Sequence, residues 1–194
     1  MLLLKEGVFD EELATLIDEL QHRVAGLIET AGTAHFYHFY VGIGYPHLQN
    51  LDAAEQINTT LIAMNECHRQ KKAYTIYSQS LKDKLIAQSD LESDLRHALS
   101  TDKQLSMVYQ PIVNTKDGKL IGCEALVRWQ HPVRGFVSPQ EFIAIAEQSE
   151  LINLLSRWIV ARVAKDCHSL VENNIHVKMS INLSRKQFSD AHLV

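Results

Sequence analysis

The chain has 194 residues, of which 46% are hydrophobic and 22% charged, and its formal net charge is −4. This composition is typical of an ordinary globular protein of one or two domains. The negative balance argues against binding to a nucleic-acid polymer, which requires a basic face. The negative net charge does not exclude binding of a small anionic ligand, provided that metal ions supply positive charge at the site. No apolar run approaches the length of a membrane span.

The three cysteines are far apart and form no CxxC pair, which argues against a zinc site or a disulfide framework. Small buried side chains in a reducing cytoplasm are the better interpretation, and we expect a cytoplasmic location. The alternative is a longer parent protein that an amino-terminal region anchors to a membrane.

The first segment alternates strand and helix signals. The pattern predicts, in chain order, a strand over 1–5, a helix from Asp10, a strand in HFYHFYVGIGY, a helix over 52–68 and a strand in AYTIYS. Helices packed against a sheet follow from this order, so the fold class is α/β.

A helical connector follows, over residues 81–100. Leucines recur along one face of this stretch, while the other face is charged: Leu81, Leu85, Leu91, Leu95 and Leu99. The charged face includes acidic residues, so we expect a solvated linker helix packed on one side and no membrane role.

From Gln104 the pattern changes to a hairpin followed by helices. LSMVYQPIV and KLIGCEALVRW predict two strands, and Asp117-Gly118 between them is a strong hairpin turn signal. HPVRGFVSP predicts a loop that leads into a short helix, which Ser138 can cap and Pro139 can begin. The spacing of Ile152, Leu155, Ile159 and Val163 predicts a longer helix, and HVKMSINLS a final strand.

The run GCEALVRW places Glu124 and Arg128 in an otherwise apolar strand. Alternate residues share a face, so Leu126 lies between these two charges on one side, and the intervening residues form a wholly apolar opposite side. In an extended strand the two charges are roughly 13 Å apart and do not pair with each other. Each therefore needs another partner, a metal or a ligand.

The final predicted strand repeats this arrangement, with Lys178, Ser180 and Asn182 on one face. Polar side chains at the carboxyl ends of strands are the usual anatomy of a TIM-barrel site. A carboxylate from Glu124 and an amide oxygen from Asn182 suit Mg²⁺ or Mn²⁺. The alternatives are a carboxylate satisfied by backbone donors and a strand-end amide that bonds within a turn.

YQPIV, EALVRW, HPVRGFVSPQEFIAIAE and SINLSRKQF resemble the successive motifs of the EAL domain. The resemblance implies a TIM-barrel variant with one antiparallel strand. It also implies hydrolysis of the bacterial messenger cyclic di-GMP to a linear dinucleotide, with two cations that activate a water.

The resemblance assigns roles to five residues of this chain. Glu124 and Asn182 would be metal ligands, Arg128 would hold a phosphate, Gln110 would contact a guanine edge and Leu126 would line the same pocket. The alternatives are a solvated strand end for Arg128 and an ordinary residue before a proline at a strand end for Gln110.

The upstream stretch VGIGYPHLQNLDAAEQINTTLIAMNECHRQKKAYTIYS resembles the second half of a GGDEF domain. The signature loop is missing and HRQKKAY replaces the usual run, so this half would be degenerate. We therefore expect a partial GGDEF-type sandwich over residues 1–80, the connector helix over 81–100, and the amino-terminal half of an EAL barrel over 101–194.

The remaining metal carboxylates and the general-base lysine of the family belong downstream of these motifs. We expect the chain alone to be inactive, with no complete catalytic set, and its parent to be a metal-dependent cyclic di-GMP phosphodiesterase. The alternatives are a degenerate receptor that binds cyclic di-GMP or a protein partner without cleavage, and a scaffold that forms homodimers through the connector helix.

Overall fold

The computed structural model describes residues 10–29, 39–44 and 52–184. The chain divides into two compact units, Met1–Leu85 and Ile86–Val194. The predicted strand over 1–5 lies outside the described residues. Within the described ranges, none of the helices combines the length and the apolar character that crossing a membrane requires.

The first unit alternates helices with short strands, as predicted. Its elements are α1 (Asp10–Glu29), β1 (Val41–Ile43), α2 (Ala53–Gln70) and β2 (Tyr74–Ile76). The two strands pair in parallel, with Val41 opposite Tyr74. Leu13 and Ile17 of α1 are buried against Ile43, which confirms the apolar stripe at these two positions.

Capping fixes the start of α2. The Asp52 carboxylate accepts the Glu55 backbone N–H at 2.8 Å, and the Glu55 carboxylate accepts the Asp52 N–H at 3.2 Å. This reciprocal pair satisfies backbone donors that a helix start leaves open. At the other end Lys71 adopts a left-handed conformation with φ 54°, which terminates the helix.

The connector is a single helix, α3 (Gln79–Thr101), which crosses the boundary between the units. Leu91, Leu95 and Ala98 are buried in the core of the second unit, and Leu99 packs against that core. The predicted packing on one side is thus confirmed in this part of the helix. Dimerisation through the helix stays a prediction.

The second unit is built on a sheet of four strands, β3 (Leu105–Val113), β4 (Leu120–His131), β5 (Gly135–Val137) and β6 (Lys178–Ile181). β3 and β4 form the predicted antiparallel hairpin, and Gly118 in its turn has φ 67°. β5 pairs antiparallel with the end of β4, whereas β6 pairs with its middle in parallel. β5 lies in the stretch that was predicted as a loop.

Two helices, α4 (Pro139–Gln148) and α5 (Ile152–Glu172), lie between β5 and β6 in the chain. Ser138 and Pro139 begin α4 as predicted, but the Ser138 side chain makes no capping hydrogen bond. The core of the unit joins the helices to β4 through large buried side chains, which include Trp129, Phe142 and Leu151. The predicted apolar stripe of α5 is part of the same core: Ile152, Leu155, Ile159 and Val163.

Gly42 allows β1 to lie directly against α2. A Cβ atom at this position would be 2.4 Å from both the Met64 nitrogen and the Thr60 carbonyl oxygen, and these backbone atoms cannot rotate away. We expect Gly42→Ala to lower the free energy of unfolding by about 3 kcal/mol, since overpacking forces the backbone to move. Chemical denaturation followed by circular dichroism measures this loss.

Gly44→Ala is the matched control, because its Cβ would meet the end of a side chain, Thr60 Oγ1 at 2.7 Å, which can rotate. The control should lose less stability than Gly42→Ala. Equal losses in the two variants would contradict the close packing of β1 on α2.

The buried Glu66 carboxylate of α2 makes stability depend on acid pH. Burial alone would raise its pKa, but the Arg69 and Gln70 hydrogen bonds and the positive charges of Arg69 and Lys84 outweigh burial, so the pKa lies below its ordinary value of 4.5. The stabilisation is therefore present above pH 4.5 and is lost as the pH falls through the lowered pKa of the folded state. Glu66→Gln should cost about 1–3 kcal/mol at neutral pH and flatten the acid slope of stability.

Denaturant midpoints measured from pH 7 down into the acid range test this expectation. Glu92→Gln is the control, because Glu92 forms an exposed ion pair with Arg96 at 3.3 Å and its loss should cost less than about 0.5 kcal/mol. Parallel pH profiles for the wild type and Glu66→Gln would refute a lowered Glu66 pKa.

Candidate functional site

The two faces of β4 differ as the sequence predicts. Ala125, Val127 and Trp129 are buried in the core. Glu124, Leu126 and Arg128 occupy the alternate positions and are partly buried. Strand alternation thus holds the charged side chains on the face opposite the core.

Glu124 and Asn182 are in direct contact on this face. β6 pairs with β4 so that Glu124 lies opposite Ser180, and Asn182 follows two positions later. The Asn182 Nδ2 atom donates a hydrogen bond of 2.6 Å to Glu124 Oε1. The structure therefore brings together the two side chains that were expected to converge, while their role as metal ligands stays a prediction.

The phase of β6 agrees with the sequence pattern, but the strand is shorter than HVKMSINLS predicts, because it ends at Ile181 and Asn182 follows it. Met179 and Ile181 pack against the core, whereas Lys178 and Ser180 are exposed. Lys178 lies opposite Gly122, two positions before the Glu124–Ser180 pair, and therefore shares the face of Glu124.

The three predicted ligand-binding residues lie along the same face of the hairpin. Gln110 of β3 is directly opposite Glu124, and Leu126 is the next residue of β4 on that face. Arg128 follows Leu126 by two residues and lies on the same face. Its Nη1 donates a hydrogen bond to the Val127 carbonyl at 2.9 Å. The register thus places Gln110 beside Glu124, with Arg128 towards the carboxyl end of β4.

Tyr109 orients the strand that carries Gln110. Its hydroxyl donates a 2.5 Å hydrogen bond to Asp166 Oδ2 of α5, and Arg162 Nε lies 3.5 Å from the other oxygen of that carboxylate. Burial, followed by the hydrogen bond and charge of Asp166, raises the pKa of Tyr109, so the phenol stays protonated and donates. Because Tyr109 faces the helices, its neighbour Gln110 faces the other way.

A buried histidine fixes the carboxyl end of β4. His131 Nδ1 accepts the backbone N–H groups of Val133 at 3.1 Å and Arg134 at 3.0 Å. These bonds assign the imidazole proton to Nε2, which lies 3.1 Å from Asp94 Oδ2 of α3. The strand end near Arg128 is therefore tied to α3. Sequence reasoning missed both the Tyr109 and the His131 contacts, which join residues far apart in the chain.

The donor set at Glu124 and Asn182 fits a hard divalent cation. A carboxylate and an amide supply oxygen ligands, and Mg²⁺ commonly takes one or two carboxylates and completes its shell with water and substrate phosphates. Across residues 10–29, 39–44 and 52–184, no three His, Cys, Asp or Glu side chains converge to hold a metal. The described residues could thus provide part of a coordination shell.

Comparison with known proteins identifies the family of this site. The model of the EAL domain matches residues 92–194. The cyclic di-GMP phosphodiesterase PdeR of Escherichia coli is 33% identical over 117 residues, which are 60% of this chain and 17% of PdeR. The bifunctional diguanylate cyclase/cyclic di-GMP phosphodiesterase MucR of Pseudomonas aeruginosa is 28% identical over 194 residues, which are 99% of this chain and 28% of MucR.

A solved structure shares the fold over about half of this chain. The PaMucR phosphodiesterase in complex with c-di-GMP has a TM-score of 0.50 and 36% identity, over 54% of this chain and 42% of that one. This chain covers less than a third of the length of PdeR or MucR. The family model matches more than half of the chain, including β3, β4 and β6, around which the candidate site is built. The chain therefore belongs to the EAL domain family.

Proposed function

We propose that the complete protein, a longer polypeptide that includes this chain, hydrolyses cyclic di-GMP to linear pGpG in bacterial signalling. The contact between Glu124 and Asn182 carries the proposal, because it unites a carboxylate of β4 and an amide that follows β6 directly. The phosphodiesterase names of PdeR and MucR and the c-di-GMP complex of PaMucR support the choice of substrate.

Glu124 and Asn182 would hold a divalent cation, Mg²⁺ or Mn²⁺. When bound, such a cation supplies positive charge that stabilises displacement at phosphorus and favours ionisation of a water. Glu124 contributes the negative charge that retains it. A half-turn of the Asn182 amide would present its oxygen where the nitrogen now faces Glu124.

The other residues on this face would bind the dinucleotide. The planar guanidinium of Arg128 suits a phosphate, because its fork donates two parallel hydrogen bonds. Gln110 offers both a donor and an acceptor for a guanine edge. Leu126, which lies between Glu124 and Arg128 on this face, would cover the apolar part of the ligand.

We also propose that residues 1–80 are part of a degenerate GGDEF domain, joined through residues 81–100 to the EAL domain that begins near residue 101. MucR, named as a cyclase as well as a phosphodiesterase, matches along 99% of this chain. The helix–strand–helix–strand order of the first unit agrees with this proposal. A cytoplasmic location is proposed for these domains.

The active unit would be the complete EAL domain and not this chain by itself. A closed TIM barrel takes about 250 residues and eight strands. The family match covers residues 92–194, and the described sheet of this unit has four strands. We therefore expect hydrolysis by the complete protein and none by this chain alone.

Glu124→Gln should lower the kcat for hydrolysis of cyclic di-GMP by about 10²–10³-fold, because several kcal/mol of charge stabilisation would be lost with the cation. Binding of cyclic di-GMP should persist in part, since Arg128 and Gln110 remain. Product formation is measured by chromatography in the complete protein with Mg²⁺ or Mn²⁺, and binding by calorimetry.

Glu141→Gln is the matched control, because Glu141 is exposed on α4 and is not part of the site. It should leave kcat unchanged. Undiminished turnover in Glu124→Gln would remove Glu124 from the mechanism. If the wild type binds cyclic di-GMP without cleaving it, the receptor alternative is correct.

Arg128→Lys should raise the KM for cyclic di-GMP about tenfold and change kcat less. Lysine keeps the positive charge but loses the bidentate fork, and one charge-assisted hydrogen bond contributes roughly 1.5–3 kcal/mol. Steady-state kinetics of the complete protein separate the two constants. A fall in kcat at unchanged KM would contradict a role in ground-state binding of a phosphate.

A further inference from the structure

The segment that carries Asn182 has a second anchor, which the roles assigned above do not use. Ser184, two residues after Asn182, donates a hydrogen bond of 2.5 Å from Oγ to Glu147 Oε1 of α4. Both residues are partly buried. The short stretch 182–184 is therefore held at one end by Glu124 of β4 and at the other by Glu147 of α4.

The helix that carries Glu147 packs on the core. Ala146, next to Glu147, is fully buried, and Ile145 and Phe142 on the same helix are also in the core. β4, which carries Glu124, packs on this core through Ala125, Val127 and Trp129. The two carboxylates that hold the stretch are thus carried by elements that pack on one core.

We propose that Glu147 and Ser184 are positioning residues that set the place of Asn182 at the cation site. β6 ends at Ile181, so no strand pairing constrains Asn182 itself. The Ser184–Glu147 bond limits the positions open to the Asn182 side chain and keeps it against Glu124. The inference rests on the proposed function, because it assigns these residues to the cation that Glu124 and Asn182 would hold.

The direction of the Ser184–Glu147 hydrogen bond agrees with this arrangement. Glu147 accepts a hydrogen bond from the Ser184 hydroxyl, so its effect on Asn182 would pass through Ser184. Residues that orient metal ligands typically change metal affinity or activity by about 10–100-fold when they are removed. A loss at the lower end of this range is expected here, because Ser184 lies two residues from Asn182 and acts on it through the intervening backbone.

Titration of the complete protein with Mn²⁺, followed by the electron paramagnetic resonance of the free ion, tests the proposal. Glu147→Ala should raise the Kd for Mn²⁺ about tenfold. Glu147→Gln keeps an oxygen that accepts the Ser184 hydroxyl and should stay close to the wild type. Ser184→Ala removes the hydrogen-bond donor instead and should raise the Kd for Mn²⁺ by the same factor as Glu147→Ala. The double variant should show the same Kd as either single variant, because both changes remove one hydrogen bond. Saturating Mn²⁺ should restore the kcat of both alanine variants.

Glu141→Ala, an exposed glutamate of the same helix, is the control and should leave the Kd unchanged. Thermal unfolding of each variant distinguishes positioning from support of the fold. Lower melting temperatures with an unchanged Mn²⁺ Kd in Glu147→Ala and Ser184→Ala would overturn the proposal. If Glu147→Ala does not fold, the Kd of Ser184→Ala decides.

The same titration separates this inference from the proposed function. If the wild type binds Mn²⁺ and Glu124→Gln does not, but both alanine variants bind as the wild type does, the positioning role alone is wrong. If Mn²⁺ binding by the wild type does not depend on Glu124, the cation site is wrong and the positioning role is overturned with it.

Discussion

The hydrogen bond between Glu124 and Asn182 depends on the parallel register of β6 on β4. Parallel strands cannot be joined by a tight turn, so the chain must cross over through other elements. Here α4 and α5 form that crossover, and their buried faces pack against Trp129 and its neighbours on β4. The apolar core therefore determines where a polar site can form on the opposite face of the sheet.

One face of β4 packs in the core and the other carries the site, so the register of this strand cannot change without disrupting both. A shift of one residue would exchange the faces, burying Glu124 and exposing Trp129. The hairpin turn opposes such a shift: the Asn114 N–H bonds the Lys119 carbonyl at 2.8 Å, and Gly118 adopts a positive φ. At the other end, His131 is held by Asp94 of α3. The register of β4 is therefore held at both of its ends, with the site between them.

The sequence predicts the main elements well because their signals are local. The bounds of β3 are those predicted from LSMVYQPIV, and the stripe of α5 is buried as the helical period requires. The face of Glu124 follows from alternation alone. The roles of Glu124, Asn182, Arg128 and Gln110 come from the family resemblance and remain predictions.

The features that the sequence does not predict depend on contacts between distant residues. β5 has only three residues, and turn-forming residues flank it. It forms a strand because it pairs antiparallel with the end of β4. The Tyr109–Asp166 and Ser184–Glu147 bonds join residues 57 and 37 positions apart. No local pattern marks such a pair, since each partner alone is an ordinary polar residue.

Two glutamates show how the surrounding donors separate a structural carboxylate from one suited to a cation. Glu66 is buried, and Arg69 and Gln70 donate to both of its oxygens, so its charge is balanced within α2. In the part of the chain that the structure describes, Glu124 receives its side-chain hydrogen bond from a neutral amide. An amide satisfies a lone pair but does not neutralise a charge, and a partly buried carboxylate gains most from a positive partner. A cation would supply that charge and could use the amide oxygen as well, which is why the pair suits metal binding better than either residue alone.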